Sequence, residues 1–549
     1  MRKLTNLIVI LSIMNVIACN PKEKVDLIVT NATIYTVDEN FSMAEAMAVN
    51  HGKIVAVGSE NDMLKKYVAD QVLDLGGKAV YPGFIDAHCH FYGYGLGLLK
   101  RADLMETQSF DEILEIMKAH HEKFPSAYWI EGRGWDQNDW PEKTFPVNDK
   151  LNELFPENPV ILIRVDGHAA IVNQKALELS GIDGNTKIDG GEVILNNGKP
   201  TGVLIDNAIE LVTKSIPSPD AGQMAEALTA AQQNCFAAGL TGVHDMGLNN
   251  REIEVIDSLH QSGELKMRMY VVLTPVEETL EAFFAKGKTK NDLLNIRAIK
   301  LYADGALGSR GAKLITDYSD DPGNSGLLLR SPESLLELCR KAYDNGFQVC
   351  THAIGDSANR LMLQVYGEVL QGENDLRWRI EHSQIVTMED FDLFGKFSVV
   401  PSVQPTHATS DMYWAGDRVG AERMKGAYAY NDLLRQNGWL PLGTDFPIEG
   451  INPIHTFYAA VIRKDLKGWP ESGFQMENAL KREDALKGMT IWAAKAAFEE
   501  NEKGSLEPGK FADFIFLDRD IMQIPGDQIP SAKVLKTFVG GVEVFEAPN

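Results

Sequence analysis

His88 and His90, in the run FIDAHCH, are the residues of this chain best suited to chemistry. The apolar stretch from Ala79 to Ile85 reads as a buried strand, and the two imidazoles follow where it ends. Residues i and i+2 of an extended chain point the same way, so both rings can reach one metal ion while Cys89 points away. An HxH pair alone is weak evidence, because a polar strand end has the same letters. Four later apolar runs repeat the arrangement. IRAIKLYADG carries Lys300, FQVCTHAIGD carries His352, RWRIEHS carries His382 and WLPLGTDFP carries Asp445. Parallel strands that each deliver such a group at the C-terminal end describe the mouth of a (β/α) barrel enzyme.

A hydrolytic metal site needs neutral imidazoles and carboxylates around the ion, with a position left open for water. His88, His90, His352, His382 and Asp445 supply such a set for zinc or another divalent ion. A bound ion of this kind lowers the pKa of water to about 7. Asp445 is suited both to touch the ion and to carry a proton to a leaving nitrogen. Lys300 has no lone pair to offer as an ammonium. As a carbamate formed with carbon dioxide it would bridge two ions. As an ordinary lysine paired with Asp304 it leaves room for one, and both readings stand.

Weaker candidates surround this set. His168, in VDGHAA, is suited to hydrogen-bond a substrate carbonyl, with a plain loop histidine as the alternative. Trp135 and Trp140 frame GWDQNDW, a polar aromatic segment suited to a pocket wall or to a packed loop. Gln404, in SVQPTH, ends a strand and is expected to face the substrate. His244, in TGVHDMG, ends a barrel-like strand and reads as an ordinary strand residue, with a place lining the mouth as the alternative. There is no phosphate-binding loop, dinucleotide fingerprint or defensible Ser-His-Asp pattern.

Positioning these residues takes a large chain, and 549 residues exceed what one core holds. Eight candidate strands, AVYPGFIDAH, LTGVHDMG, MRMYVVL, IRAIKLYADG, FQVCTHA, RWRIEHS, FSVVPSV and WLPLGTD, alternate with amphipathic stretches such as SPESLLELCRKAYDNG. That alternation predicts a parallel α/β barrel over residues 79–504. Residues 101–215 do not fit one βα repeat and read as an insertion roofing the mouth. Residues 25–78 are β-rich, with a hairpin-like turn at Asn50-His51-Gly52. The same style returns at 505–549, so both ends of the chain are expected to build one small β domain.

The net charge of −24 argues against a nucleic-acid partner, whose phosphates would be repelled. Residues 1–19 read as a targeting segment rather than fold. Arg2 and Lys3 precede the mostly apolar stretch from Leu7 to Ile17, which ends in Val16-Ile17-Ala18-Cys19. This resembles a bacterial lipoprotein signal, with lipid carried on Cys19. It places the protein on the periplasmic side of the cell envelope. Asn20 rather than Asp follows the cysteine, which favours the outer membrane; a plain secretory signal is the alternative. Cys89, Cys235, Cys339 and Cys350 are too few for a disulfide scaffold and read as buried free thiols, with Cys89 and Cys350 facing the barrel wall.

With these residues in place, the chain resembles the amidohydrolase superfamily, and within it amidohydrolase family 3, the YtcJ-like group that includes N-substituted formamide deformylases. The marks are YPGFIDAHCH, KLYADGALGSR, THAIGD, EHSQ, SVQP, GTDFP and GSLEPGKFAD, spread from about residue 25 to 547. The resemblance implies a distorted (β/α)8 TIM-type barrel with a small β-sandwich domain. It implies a divalent metal on His88, His90, His352, His382 and Asp445, and puts Lys300 where relatives carry a carboxylated lysine. It implies hydrolysis of a carbon–nitrogen bond outside peptides, an amide or N-substituted formamide. The chain departs from the usual pattern at Gly311, where Thr often precedes the alanine now at 312. A lactonase or ester hydrolase on the same site, and a small-molecule-binding lipoprotein without activity, are the alternatives. The expected partners are a small-molecule substrate and a membrane; oligomeric state is open, a homodimer included.

Overall fold

The computed structural model describes residues 22–125 and 127–548. Cys19 and its signal-like segment lie outside the described residues. Phe84–Cys89 begins a parallel sheet that runs through Leu240–Leu248, Arg268–Leu273, Leu294–Tyr302, Gln348–Ala353, Arg379–His382 and Val400–Ser402. The eighth position is held by the WLPLGTD segment, which is too irregular to form a full strand. It touches its neighbours through a parallel bridge between Val403 and Leu442, and through Ala87 N–H donating to Leu442 O at 3.1 Å. Gly443 permits this approach, because a Cβ there would lie 2.6 Å from the backbone nitrogen of His88. A nearly closed parallel barrel results.

Helices cover the outside as the amphipathic spacing predicts. Pro332–Asp344 starts at Ser331, whose hydroxyl accepts from Ser334 N–H, with proline in the first turn. Its buried residues, Leu335, Cys339 and Ala342, follow the three-and-four spacing of an apolar stripe.

AVYPGFIDAH is two strands rather than one. Ala79–Pro82 pairs with Phe514–Leu517 in a six-stranded sheet at the chain ends, so the barrel begins at Phe84. A second sheet joins Lys53–Gly58, Ala46–Asn50, Glu23–Thr30 and Tyr67–Asp74. Residues of both sheets, among them Leu27, Met47, Val80, Phe514 and Phe538, share one buried cluster. The Asn50-His51-Gly52 turn is a two-residue hairpin loop with His51 at φ 49° and Gly52 at φ 74°. Both central residues are left-handed, which matches the twist of the flanking strands.

The insertion forms its own sheet. Its order is Gly191–Asn196, Lys199–Asp206, Ala169–Val172, Val160–Arg164, Ile130–Trp135 and Ala102–Asp103. It has separate buried clusters on its two faces, one around Trp135 and Leu162, the other around Ile161 and Leu204. Trp135 is fully buried there, its indole N–H donates to Leu162 O at 2.8 Å, and it stacks on Trp140. Neither tryptophan forms the pocket wall expected of it: in this polar-looking segment the large rings fill the insertion's core, Gln137 and Asn138 are buried with them, and of the polar residues between them only Asp136 and Asp139 line the cleft. Gln404 likewise does not face the cleft. It is buried behind the mouth, with its amide donating to Ser402 O.

Cys350 shares its side of the strand with His352 and Gln348 and donates to Gln348 Oε1 at 3.4 Å. It therefore faces the barrel interior, two residues from a mouth residue on the same face, and not the wall. Cys89 does join the wall cluster, and all four described cysteines are free and buried. Among the described residues no helix is long and apolar enough to cross a membrane.

Candidate metal centre

His88, His382 and Asp445 come together at the C-terminal end of the barrel, with ligand-capable atoms within 4.8 Å of one another. His382 has φ 71° and Asp445 φ 64°, left-handed conformations uncommon for residues with a side chain. They occur where the strands end, and such strain clusters at functional sites. The other expected residues border this group. His90 Nε2 lies 3.3 Å from Asp445 Oδ1, and Lys300 Nζ lies 3.4 Å from His88 Nε2. The His352 ring centre is 4.5 Å from that of His382, while its Nε2 faces Gly305 O at 3.3 Å.

Each group is aimed from behind. His88 Nδ1 donates to Glu381 at 2.7 Å, which fixes the tautomer and turns Nε2 towards the centre. Glu381 is held by Arg379, whose Nη2 also donates to the Ala87 carbonyl and to Ser402 Oγ. Arg379 Nη1 in turn faces His244 Nδ1 at 3.1 Å, so His244 lies beneath the site and not in the mouth. Asp86 ties the first strand to the eighth segment by accepting from His88 N–H, Thr444 N–H and the Thr444 hydroxyl. Asp445 N–H donates to His88 O at 2.8 Å across the same seam.

The protonation states suit metal ligation. Burial, with the charge of nearby Lys300 and against the pull of Asp445 and Glu381, lowers His88 to about 4. Burial likewise drives His352 and His382 well below the ordinary histidine range, so all three imidazoles are neutral near pH 7. Burial opposes the charge on Asp445, but His88, His407 and His90 hold the carboxyl well below its usual range. Burial also pulls Lys300 down, towards the neutral amine that can take up carbon dioxide.

Two atoms carry the fit test. His382 Nδ1 and Asp445 Oδ1 are buried without hydrogen-bond partners among the described residues. Unpaired buried polar atoms are costly. Asp445 Oδ1 lies 3.5 Å from His88 Nε2, and with a ligand-capable atom of His382 within 4.8 Å of both this arrangement fits a divalent cation.

His407 completes the barrel side and was not foreseen. Its Nε2 meets Asp445 Oδ2 at 3.3 Å and its Nδ1 meets Glu449 at 3.0 Å. Burial works against its charge, but the two carboxylates outweigh that and raise it well above the ordinary value. It lies in Pro405–Asp411, a helix entered directly from the Val400–Ser402 strand. The letters QPTH carried the only signal.

The insertion supplies the opposite wall of a cleft of about 800 Å³. His168 reaches across, with its ring centre 5.0 Å from that of His352 and its Nδ1 2.6 Å from Asp206. Burial lowers His168, but the hydrogen bond and charge of Asp206 prevail and the net shift is upward. Asp206 rests against backbone: a Cβ on either Gly305 or Gly311 would lie 2.5 Å from its Oδ2. The unusual glycine at 311 therefore makes room for the carboxylate that supports His168.

The amidohydrolase family profile matches residues 71–545. The chain belongs to the amidohydrolase family. It is 35% identical over 540 residues to Protein LONG AFTER FAR-RED 3 of Arabidopsis thaliana, covering 95% of this chain and 91% of that protein. It is 32% identical to the putative amidohydrolase YtcJ of Bacillus subtilis (strain 168), covering 93% and 98%. It is 28% identical to an N-substituted formamide deformylase of Arthrobacter pascens, covering 95% and 98%. Among solved structures it is similar to an uncharacterized metal-dependent hydrolase from Pyrococcus horikoshii OT3. The TM-score is 0.74 at 29% identity, covering 91% of this chain and 99% of the other. Fold and family together make this amidohydrolase a hydrolase of the metal-dependent kind.

Proposed function

We propose that the protein hydrolyses a carbon–nitrogen bond outside peptides, in an amide or N-substituted formamide. The observation that carries this reading is the convergence of neutral His88 and His382 with ionised Asp445, whose Oδ1 has no hydrogen-bond partner among the described residues. The name of the Arthrobacter pascens relative supports the formamide class. His88, His90, His352, His382 and Asp445 would hold zinc or a similar ion, and Lys300, if carboxylated, would supply oxygen ligands to a second. When bound, such an ion acidifies water and polarises a carbonyl.

The chain's own groups do the rest. His407 occupies Asp445 Oδ2, which leaves Oδ1 turned to the centre. Asp445 takes the proton from the attacking water and passes it to the leaving nitrogen as the C–N bond breaks. His168, braced by Asp206, donates to the substrate carbonyl from the insertion side. Glu381 and Arg379 hold His88 in place throughout.

The test is a turnover screen of N-substituted formamides, N-acyl amines, lactones and simple esters on protein supplied with zinc and bicarbonate. Preference for the nitrogen compounds is expected, and turnover confined to lactones or esters would reverse the assignment.

We also propose that lipid on Cys19 anchors the protein to an envelope membrane, on the strength of the VIAC junction alone. Cys19→Ser should release the protein into the soluble fraction; unchanged membrane pelleting would refute the anchor.

A further inference from the structure

Two arginines end adjacent parallel strands of the insertion and line the cleft: Arg133 on Ile130–Trp135 and Arg164 on Val160–Arg164. Their surroundings differ sharply. Arg164 is saturated: Asp136 and Asp166 flank its guanidinium and Gln137 accepts from its Nε at 2.8 Å. Arg133 donates once, from Nη2 to the Val165 carbonyl at 3.1 Å. Its Nε is buried without a partner, and among the described residues no carboxylate pairs with it. Arg101, whose charge also acts on it, is already paired with Glu131.

The backbone is arranged to put Arg133 there. The pairing of the two strands slips between Arg133 and Trp135, around Gly134 at φ 116°. A Cβ at 134 would lie 2.7 Å from the Met105 side chain. A bulge of this kind re-aims the preceding side chain, and here that side chain meets the cleft. Burial lowers the Arg133 guanidinium to about 10, with Arg101 adding to the effect; Asp166 and Asp445 act on it only through space. A largely enclosed guanidinium without a counter-charge is expensive for the fold. The same layer shows that two aspartates suffice to neutralise an arginine, so Arg133 stands out as the one not neutralised.

We infer that Arg133 is a specificity residue that binds a carboxylate on the non-reacting part of the substrate, so that the preferred substrate is an anionic amide or formamide. This rests on the hydrolytic reading above. A single negative charge fits. A phosphate or phosphonate dianion would face Asp136 and Asp166 with more charge than one arginine can balance. The planar guanidinium suits a carboxylate better than a lysine would.

The test compares N-formylphenylalanine, N-formylphenethylamine and the phosphonate analogue of the first, on metal-loaded full-length protein. The readout is the ratio of kcat/KM for the carboxylate probe over the uncharged probe, in wild type and in Arg133→Met and Arg133→Lys. The ratio should exceed about ten in wild type and fall by about 30-fold or more in Arg133→Met, mainly through KM. Arg133→Lys should restore part of it. An equal loss on both probes, leaving the ratio unchanged, would make Arg133 structural and overturn the inference. So would a preference for the phosphonate. Calorimetric binding of the three probes separates the two readings. If none is turned over, the proposed reaction fails, yet a carboxylate preference in binding that vanishes in Arg133→Met still supports the arginine's role, and its absence refutes it.

Discussion

On the barrel side of the cleft Glu381 is locked between Arg379 and His88, and Asp445 Oδ1 is left unpartnered beside His88 and His382, which fits a cation. On the insertion side Arg164 is locked between two aspartates, while Arg133 has none. The first wall is built on the strand ends of the barrel and the segments that follow them, the second on strands of an added sheet. Groups held by rigid strands and braced from behind are placed closely enough for chemistry. Groups on an inserted sheet can vary without disturbing the barrel, which suits selection of the substrate. The barrel wall is therefore assigned the reaction and the insertion wall the choice of substrate.

Substitutions on the two walls should differ in size and kind. Asp445→Asn removes the carboxylate charge from the cation site and from proton transfer together. Turnover should fall by at least about 10³-fold while circular dichroism shows a folded protein. Activity within a few-fold of wild type would remove Asp445 from the chemistry. Glu381→Gln keeps the shape behind His88 but not the charge. A loss of about 10–100-fold in metal affinity or turnover is expected, as for other residues that orient a ligand.

Glu381 also has a pH signature. Burial opposes its ionisation, but Arg379 and His88 outweigh burial and lower it to about 2 from an ordinary 4.5. The folded pKa is depressed, so its stabilisation is complete above about pH 4.5 and is lost as pH falls towards 2. Urea denaturation should show that acid limb in wild type and a flatter one in Glu381→Gln; identical slopes would contradict the assignment. On the insertion wall the effect should be smaller. Asp206→Asn should lower kcat/KM by about tenfold, by loosening His168, and leave metal content unchanged. Loss of metal in that variant would merge the two walls into one functional unit.

The centre was legible in the sequence because each of its residues ends an apolar run. A strand that must be buried and a polar group that must not be wasted leave that boundary in the letters, as in VCTHA and PLGTD. The barrel followed from the same runs, although WLPLGTD closes it without forming a full strand. Residues acting through other residues were not legible. Glu381 sits beside His382 in a four-residue strand, and its service to His88 depends on a contact 293 positions away in sequence. His407 enters from a helix, and Asp206 is defined by glycines a hundred residues on. Trp135 misled in the opposite sense. Polar neighbours suggested a wall, but the ring's apolar area decided its place in the core.

The most direct measurement is divalent-metal content per chain, by elemental analysis of protein lacking residues 1–19 and purified without chelators. About one to two equivalents is expected, with two where Lys300 carries the carbamate, and Asp445→Asn should hold less than wild type. A folded chain that takes up no metal, even with zinc and bicarbonate supplied, would contradict the assignment of His88, His382 and Asp445 as the reaction centre.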